Sequence, residues 1–261
     1  MGLNGRTSSA GPNGRESSAA STIARVGTAG WAIPRAVAAS FPGEGPALAR
    51  YSRVFNALEI NSSFWRRHKP ATWQRWADTV PDEFRFSVKL PRTITHERKL
   101  LGSRKCLDEF FADVGPLRHK LGPILVQLPP SLAFDARRAG AFFKLLRARH
   151  QREVVCEPRH PSWFGEAADA LWRDFEIARV AADPARVPLA AEPGGSPALA
   201  YYRMHGSPRM YYSEYGAARI RELAAKLGVS NRPVWCLFDN TASGAGAADA
   251  LLLHRLLSAG H

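Results

Sequence analysis

The sequence contains only three cysteines, Cys106, Cys156 and Cys236, and no two of them form a CxxC pair. A disulfide framework and a structural zinc site of the usual spacing are therefore both excluded. No run of residues approaches the roughly 20 apolar positions that cross a bilayer, and residues 1–22 lack the apolar stretch of a signal peptide. These absences predict a soluble, cytoplasmic protein without a membrane partner.

Motifs of several enzyme classes are also missing. The sequence has no GxGxxG and no GxxxxGK[ST], so the common loops that hold a nucleotide are excluded. It has no HxH or HExxH spacing and no GxSxG turn, which removes the usual support for a metal centre and for a serine nucleophile. We therefore predict no organic cofactor and no metal site, and a divalent ion held by carboxylates remains an alternative.

Acidic residues are few: the sequence has 23 Asp and Glu but 36 Lys and Arg, which gives a net charge of +13. This charge favours an anionic partner, either a small phosphorylated molecule or a nucleic acid. Basic residues are dense from Arg85 to Lys105, where only one glutamate interrupts them. A solvated basic surface without a partner explains the same composition equally well.

The chain divides into a short tail and one domain. Residues 1–22 are rich in Gly, Ser and Asn and nearly free of large apolar side chains, so burial cannot offset their ordering entropy. We predict a disordered N-terminal tail over residues 1–22 and a single folded domain over residues 23–261.

Short apolar runs alternate with helix-like segments along this domain, the pattern of βα units with a parallel sheet. The predicted strands are Ala24–Thr28, Ala57–Asn61, Phe84–Lys89, Ile124–Leu128, Glu153–Glu157, Ala178–Asp183, Ala200–His205 and Val234–Asp239. The predicted helices are Pro46–Phe55, Ala71–Val80, Leu107–Leu117, Asp135–Arg149, Gly165–Phe175, Ala217–Leu227 and Ala247–Leu257. The count predicts an α/β fold of the (β/α)8 TIM-barrel type, with an irregular crossover after the sixth strand, where the Pro-rich segment Asp183–Ala198 lies. A doubly wound open sheet is the competing fold.

Polar residues follow nearly every predicted strand, where a barrel places its chemistry. Arg203 and His205 share one face of the seventh strand because side chains alternate, and Glu59 and Asn61 share a face of the second in the same way. The predicted catalytic residues are Glu59, Glu157, His205 and Asp239. The predicted substrate-binding residues are Asn61, Lys89, His96, Gln127, Arg159, His160, Arg203, Tyr212 and Asn240. The alternative to a site is a network of mutually neutralising salt bridges that plugs the mouth of the barrel, with Glu59 or Glu157 paired to Lys89, Arg159 or Arg203.

Seven motifs then appear in a fixed order: GTAGW, FNALEINSSFWR, FRFSVKLPRTITHERKL, LGPILVQLPPS, EPRHPSWF, YYRMHG and FDNT. Together they resemble the YecE-like family, the domain of unknown function 72, from about Val26 to the C-terminus. The resemblance implies a TIM-type barrel and no established activity. The motif residues that it carries over are Glu59, Asn61, Lys89, His96, Gln127, Glu157, Arg159, His160, Trp163, Arg203, His205, Gly206, Asp239 and Asn240.

The leading functional hypothesis is an enzyme that acts on a small anionic substrate, such as a phosphorylated sugar or a nucleotide-like compound, by general acid/base chemistry. Arg203, Lys89 and Arg159 would hold the anion, and Glu59 and Glu157 would move protons across an open space between them. A nucleic-acid-binding or nucleic-acid-processing protein is the second hypothesis, and a barrel that binds a ligand without catalysis is the third.

Overall fold

The structure is a computed structural model that describes residue 1 and residues 24–259. Apart from residue 1, the predicted tail lies outside the described residues, and so do the last two residues of the predicted domain.

Ten strands occur in residues 24–259, and they lie close to the predicted apolar runs. Their bounds are β1 Ala24–Thr28, β2 Ala57–Ile60, β3 Arg85–Lys89, β4 Leu121–Gln127, β5 Val154–Glu157, β6 Ile177–Arg179, β7 Ala181–Asp183, β8 Gly194–Gly195, β9 Ala200–Met204 and β10 Val234–Phe238. The sixth predicted strand is divided into β6 and β7 at Val180, and the two-residue β8 was not predicted. The remaining predicted strands differ from the observed ones only at their ends.

The strands form two sheets of a mixed α/β fold. Strand order is β1-β10-β9-β7 in the first sheet and β2-β3-β4-β5-β6-β8 in the second. Neighbouring strands run parallel, except that β8 pairs with β6 in the antiparallel direction. The fold class predicted from alternating strands and helices is therefore confirmed as α/β with parallel sheets.

The two sheets approach each other at two places. Strands β6 and β7 are consecutive in the chain, and the backbone N–H of Val180 between them donates to the Cys156 carbonyl at 2.8 Å. On the other side, Ala29 pairs with Glu59 in an isolated parallel bridge. Gly27 permits this second approach, because a Cβ atom there would lie 2.0 Å from the Ala57 carbonyl oxygen.

Eight α-helices surround the strands within the described residues. Their bounds are α1 Ala47–Tyr51, α2 Ser62–Trp65, α3 Pro70–Thr79, α4 Arg104–Val114, α5 Ala136–Arg147, α6 Glu166–Asp174, α7 Gly216–Gly228 and α8 Ala245–Ala259. Each of the seven predicted helices is present, and α2 is additional. Between β7 and β9 the chain forms only a 3-10 turn, Pro188–Ala191, and strand β8, which matches the predicted irregular crossover.

Helix α5 shows how the sequence produces this packing. Its first turn is capped by the Asp135 carboxylate, which accepts a hydrogen bond from the Arg138 backbone N–H at 2.9 Å. Four apolar side chains then recur at helical spacing and are buried, namely Ala139, Phe142, Phe143 and Leu146. The helix therefore buries one face and leaves its basic residues on the other.

The buried apolar side chains of the described residues form two clusters, of which the smaller comes from the strands and the residues beside them. It comprises Ala57, Leu125, Val155, Ala178, Val180, Leu199, Tyr201, Trp235 and Leu237. Tyr201 belongs to it, and Arg203 lies two residues further along β9, on the same face of that strand. The polar residues at the strand ends therefore continue the face that carries this apolar cluster.

Candidate functional site

Arg203 is the centre of a buried network of ion pairs. Its guanidinium donates to Glu59 Oε2 at 2.9 Å and to Glu59 Oε1 at 2.7 Å, and it also donates to Glu157 Oε2 and to Asp239 Oδ2 at 3.0 Å. Its residue exposure is 0%. Four hydrogen bonds to three carboxylates leave this side chain little capacity for a ligand.

Glu59 is held entirely by protein groups. Besides Arg203, the Tyr201 hydroxyl donates to Glu59 Oε2 at 3.1 Å, and the same hydroxyl lies 2.8 Å from Ser87 Oγ. Glu59 is also 0% exposed. The bidentate pair with Arg203 satisfies the carboxylate, since charge-assisted hydrogen bonds of this geometry are the strongest that side chains form.

Two expectations about this part of the molecule need correction. The open space expected between Glu59 and Glu157 is filled by the Arg203 guanidinium, which joins the two carboxylates. Arg203 was also expected to hold the anion, but its donors face carboxylates of the protein. The three carboxylates and the Arg203 guanidinium thus form mutually neutralising ion pairs of the kind that the alternative to a site describes.

Glu157 contacts Arg203 and also two further residues, Arg159 and His205. Arg159 Nε donates to Glu157 Oε1 at 2.7 Å, and His205 Nε2 lies 3.3 Å from the same oxygen. Burial alone would raise the pKa of Glu157, but Arg159, Arg203 and His205 together hold it well below its usual range. Glu157 therefore remains ionised at neutral pH.

His205 lies between two carboxylates. Its Nδ1 is 3.0 Å from Asp239 Oδ2, opposite the contact of Nε2 with Glu157. Burial would lower the pKa of His205, but the charges of Glu157 and Asp239 reverse the effect and raise it. The pKa of Asp239 is lowered, because Arg203 and His205 outweigh the effect of burial on that carboxyl group. The structure thus favours an imidazolium at this position near neutral pH.

Lys89 differs from the other cations of the site. Its residue exposure is 7%, yet no hydrogen bond or ion pair joins its Nζ to any residue in the described part of the chain. The ammonium lies 4.1 Å from the centre of the Phe64 ring. Burial, with a smaller contribution from Arg203, lowers the pKa of Lys89 to about 8. The residue is nearly buried but its Nζ still reaches solvent, so a bound ligand could supply the polar partner that the described residues do not.

His96 lies beyond the same aromatic ring. The Phe64 and His96 rings meet edge to face with their centres 4.9 Å apart, and His96 Nδ1 is 2.8 Å from the Thr95 hydroxyl. Burial and the nearby cations, Lys89 first among them, lower the pKa of His96 to about 4. The imidazole is therefore neutral at neutral pH and can donate or accept a hydrogen bond.

Several buried polar atoms around the network lack hydrogen-bond partners among the described residues. They are Asn61 Oδ1, Arg159 Nη2, His205 Nε2 and Asn240 Oδ1. Asn61 Nδ2 does donate to Asp239 Oδ1 at 3.2 Å, and His205 Nε2 lies within ion-pair distance of Glu157. The Gln127 side chain, at the end of β4, makes no hydrogen bond within residues 24–259, but its polar atoms are not fully buried. Since native proteins rarely leave buried polar groups unsatisfied, the buried atoms here favour a ligand or bound water.

Three of the predicted substrate-binding residues have other contacts. His160 Nδ1 accepts from the Ser162 backbone N–H at 3.2 Å and so caps the 3-10 turn Pro161–Phe164. Asn240 is fully buried, and its Nδ2 donates to Asp249 Oδ2 at 2.8 Å. The Tyr212 ring is 44% exposed and stacks against Arg209. These contacts account for His160, for Tyr212 and for the amide nitrogen of Asn240 without a ligand, whereas Asn240 Oδ1 is buried without a hydrogen-bond partner in the described chain.

Tyr211 contacts the network and was not predicted to do so. Arg159 Nη1 donates to its hydroxyl at 3.3 Å, and its ring lies edge to face with the His205 ring at 5.7 Å. The backbone of Tyr211 has a φ of 70°, a left-handed conformation that is unusual for tyrosine. Two adjacent tyrosines in the sequence gave no signal for which of them faces the site.

A cavity of about 360 Å³ adjoins the site. Phe64 forms part of its wall, and Trp65, Arg66, Arg92 and Arg98 also line it. None of the predicted site residues lines this cavity. Phe64 therefore contacts both the cavity and the Lys89 ammonium.

Residues 24–259 contain no group of three or more His, Cys, Asp or Glu side chains arranged to hold a metal ion. The carboxylates at the strand ends instead share the charge of Arg203, and Arg159 adds a second guanidinium. Within the same residues, no helix has both the length and the hydropathy needed to cross a membrane.

An α/β fold of parallel strands with a buried ionic network at its strand ends defines the class of this protein. The chain belongs to the family described as "Protein of unknown function DUF72", whose profile matches residues 25–261. The resemblance noted in the sequence is confirmed by this match. The family's description assigns no activity or substrate.

Two curated relatives also carry names without an activity. The UPF0759 protein YecE of Escherichia coli strain K12 is 29% identical over 145 residues, which cover 55% of this chain and 51% of the relative. The UPF0759 protein YunF of Bacillus subtilis strain 168 is 27% identical over 148 residues, which cover 53% and 51%. The alignments span about half the length of these relatives.

Solved structures of DUF72 family proteins share the fold over nearly the whole chain. One from Enterococcus faecalis V583 has a TM-score of 0.74 at 18% identity and covers 90% of this chain and 96% of its own. Another, from Thermotoga maritima MSB8, has a TM-score of 0.73 at 23% identity and covers 90% and 99%. At these identities the likeness extends to the fold alone.

Proposed function

We propose that the two sheets together form a closed (β/α)8 barrel of the TIM type and that its mouth binds a small anion. The continuity of β6 with β7 and the bridge between Ala29 and Glu59 support closure on both sides. In such a barrel the C-terminal ends of the parallel strands face one mouth, where active sites lie. The residues after the strands would then surround one pocket above the Arg203 network.

The proposed substrate is a small anionic molecule, such as a phosphorylated sugar or a nucleotide-like compound. The charges support this class, because three carboxylates face two guanidiniums, the Lys89 ammonium and the His205 imidazolium. The cations exceed the carboxylates by one. Lys89 and Arg159 would bind the anion, with Gln127 and His96 supplying hydrogen bonds.

We propose further that the protein is an enzyme that uses acid/base chemistry at this mouth. His205 and Lys89 are the groups best suited to it, because the raised pKa of His205 favours a proton on its ring near neutral pH, and the Lys89 Nζ has no hydrogen-bond partner among the described residues. Glu157 and Asp239 would act mainly by keeping His205 protonated. Glu59, which is fully enclosed, would act through the position of Arg203 rather than on the substrate.

The single observation that carries the proposal is the nearly buried Lys89 ammonium without a polar partner. A ligand oxygen beside Nζ would satisfy it and would replace the water that the residue loses on burial. The prediction is that phosphate or a phosphorylated sugar binds the protein and that binding requires Lys89.

Isothermal titration calorimetry with inorganic phosphate and with a sugar phosphate tests this proposal. Lys89→Met keeps the length of the side chain and removes its charge, and Lys99→Met is the matched control on an exposed loop. We expect the Lys89 variant to lose at least about tenfold in affinity, as removal of a charge-assisted hydrogen bond costs about 1.5–3 kcal/mol. Equal affinity in the two variants, or no binding by the parent protein, would overturn the proposal.

Nucleic-acid binding is a second candidate, favoured by the surface beside the mouth. Trp65 is 68% exposed, and the Arg92 guanidinium lies 5.3 Å from its ring centre. Arg66 and Arg98 line the adjoining cavity. Stacking on an aromatic ring flanked by cations is typical of single-strand recognition. Binding of an oligonucleotide that weakens steeply with salt and is lost in Trp65→Ala would support this function, and no binding at low salt would exclude it.

A further inference from the structure

Lys89 is placed as a reactive amine as well as a cation. It is the last residue of β3, and strand alternation puts it on the same face as Ser87, which contacts the Tyr201 hydroxyl inside the polar network. The residue is nearly buried, and its Nζ, which still reaches solvent, has no hydrogen-bond partner in the described chain and lies over the Phe64 ring. An amine in this position is free to form a bond.

We propose that Lys89 forms a Schiff base with a carbonyl carbon of the anionic substrate bound at the mouth, an inference that rests on the proposed function. The substrate class is thereby narrowed to a small anion that carries an aldehyde or ketone. Such a molecule could be a sugar phosphate in its open-chain form or a keto acid.

The step is balanced without any other reactant. The Nζ lone pair forms a bond to the carbonyl carbon as the π bond of the C=O group breaks, and one proton passes from the nitrogen to the oxygen, which gives a carbinolamine. The second amine proton then passes from the nitrogen to the hydroxyl oxygen, the C–O bond breaks, and one water molecule leaves as the C=N bond forms. Protonation of the nitrogen gives an iminium, which draws electrons from the neighbouring carbon and so acidifies it.

The surroundings of Lys89 suit both the neutral amine that attacks and the iminium that forms. Nucleophilic attack needs the neutral amine, and a pKa of about 8 leaves roughly one Lys89 in ten neutral at pH 7, against fewer than about one in a thousand for an ordinary lysine. The charged groups that act on Nζ are Arg203, which opposes its protonation, and Glu59, Glu157 and Asp239, which favour it. The iminium is a cation, so the three carboxylates and the face of the Phe64 ring would stabilise it as they stabilise the ammonium.

Reductive trapping with glyoxylate tests the inference, because glyoxylate is a small anion with an aldehyde. The full chain is incubated at pH 7 with glyoxylate and cyanoborohydride, which delivers hydride to the iminium carbon, and the modified lysines are located by peptide mass spectrometry. We expect Lys89 to be modified at least about ten times faster than the exposed Lys99 and Lys105, because more of it is neutral. Lys89→Met should lose this fast phase and keep the slow modification of Lys99.

Two further measurements separate this inference from the proposed function. Inorganic phosphate should slow the modification of Lys89 and leave that of Lys99 unchanged, and glycolaldehyde, which is uncharged, should react with Lys89 more slowly than glyoxylate. If phosphate binds through Lys89 but glyoxylate modifies Lys89 no faster than Lys99, the Schiff base is refuted and the anion site stands. If phosphate does not bind at all, the proposed function fails, whatever the rate of modification.

Discussion

Replacement of Lys89 by methionine should stabilise the protein at pH 7, although the residue is placed in the candidate site. Burial and Arg203 lower its pKa from 10.5 to about 8 in the folded protein. A difference of this size corresponds to about 3 kcal/mol that the folded state loses by holding the charged form. Methionine removes this cost but also the contact of the ammonium with Phe64, worth about 1–2 kcal/mol. The expected gain in the free energy of unfolding is therefore about 1–2 kcal/mol.

The gain should depend on pH in a defined direction. Below pH 8 Lys89 is mainly charged in both the folded and the unfolded protein, so the folded protein bears the full free-energy cost of holding that charge. Between pH 8 and 10.5 the unfolded chain binds more protons at this position than the folded protein, so the stability of the parent rises with pH. The advantage of Lys89→Met should therefore be greatest at pH 7 and should shrink or reverse near pH 10.

Urea denaturation followed by circular dichroism measures this difference. The parent protein, Lys89→Met and the exposed control Lys99→Met are compared at pH 7 and at about pH 10, with the free energy of unfolding extrapolated to water. The free energy of unfolding of the control should match that of the parent at both pH values. A Lys89 variant less stable than the parent at pH 7, or a difference that does not change with pH, would refute the reasoning.

Three further predictions concern the buried network and the junction of the sheets. Arg203→Met should lower the free energy of unfolding by about 3–5 kcal/mol in urea, and addition of Glu59→Gln should recover part of it, since the carboxylate left behind is then neutral; no recovery would contradict the role of the pair. The pKa of His205 in the folded protein is raised above 6.5, so its stabilising contribution is complete below pH 6.5 and falls as pH rises through the folded pKa. The stability deficit of His205→Gln should therefore be larger at pH 6 than at pH 9, and a constant deficit would contradict this. Gly27→Ala should destabilise the protein by about 3 kcal/mol in thermal unfolding, because its Cβ would lie 2.0 Å from the Ala57 carbonyl oxygen, and an unchanged midpoint would show that the junction tolerates a side chain.

The sequence predicted the strands well because each is a compact apolar run. The alternation of side chains along a strand also placed Arg203 on the same face as Tyr201, with His205 just beyond the end of the strand. The sequence offered salt bridges of Glu59 or Glu157 with Lys89, Arg159 or Arg203 as one alternative. It could not select the pair of Arg203 with Glu59, because these partners are 144 residues apart in the chain. Whether a charged residue meets a ligand or a carboxylate depends on which strands are neighbours, and alternation within one strand does not contain that information.

Tertiary contacts explain two other differences. Tyr211, with its positive φ, faces Arg159, whereas its neighbour Tyr212 lies at the surface. The division of the sixth strand at Val180 depends on its pairing with β5 on one side and β9 on the other. Both features arise from tertiary contacts rather than from the type of residue, so neither left a pattern that could be read.

Phe64 has a place in two different surroundings. Its ring faces the Lys89 ammonium, and the residue also forms part of the wall of the cavity of about 360 Å³. A smaller residue at this position would enlarge that cavity and would at the same time remove the ring that the ammonium faces. A single substitution here would therefore change both the shape of the cavity and the electrostatic surroundings of the lysine.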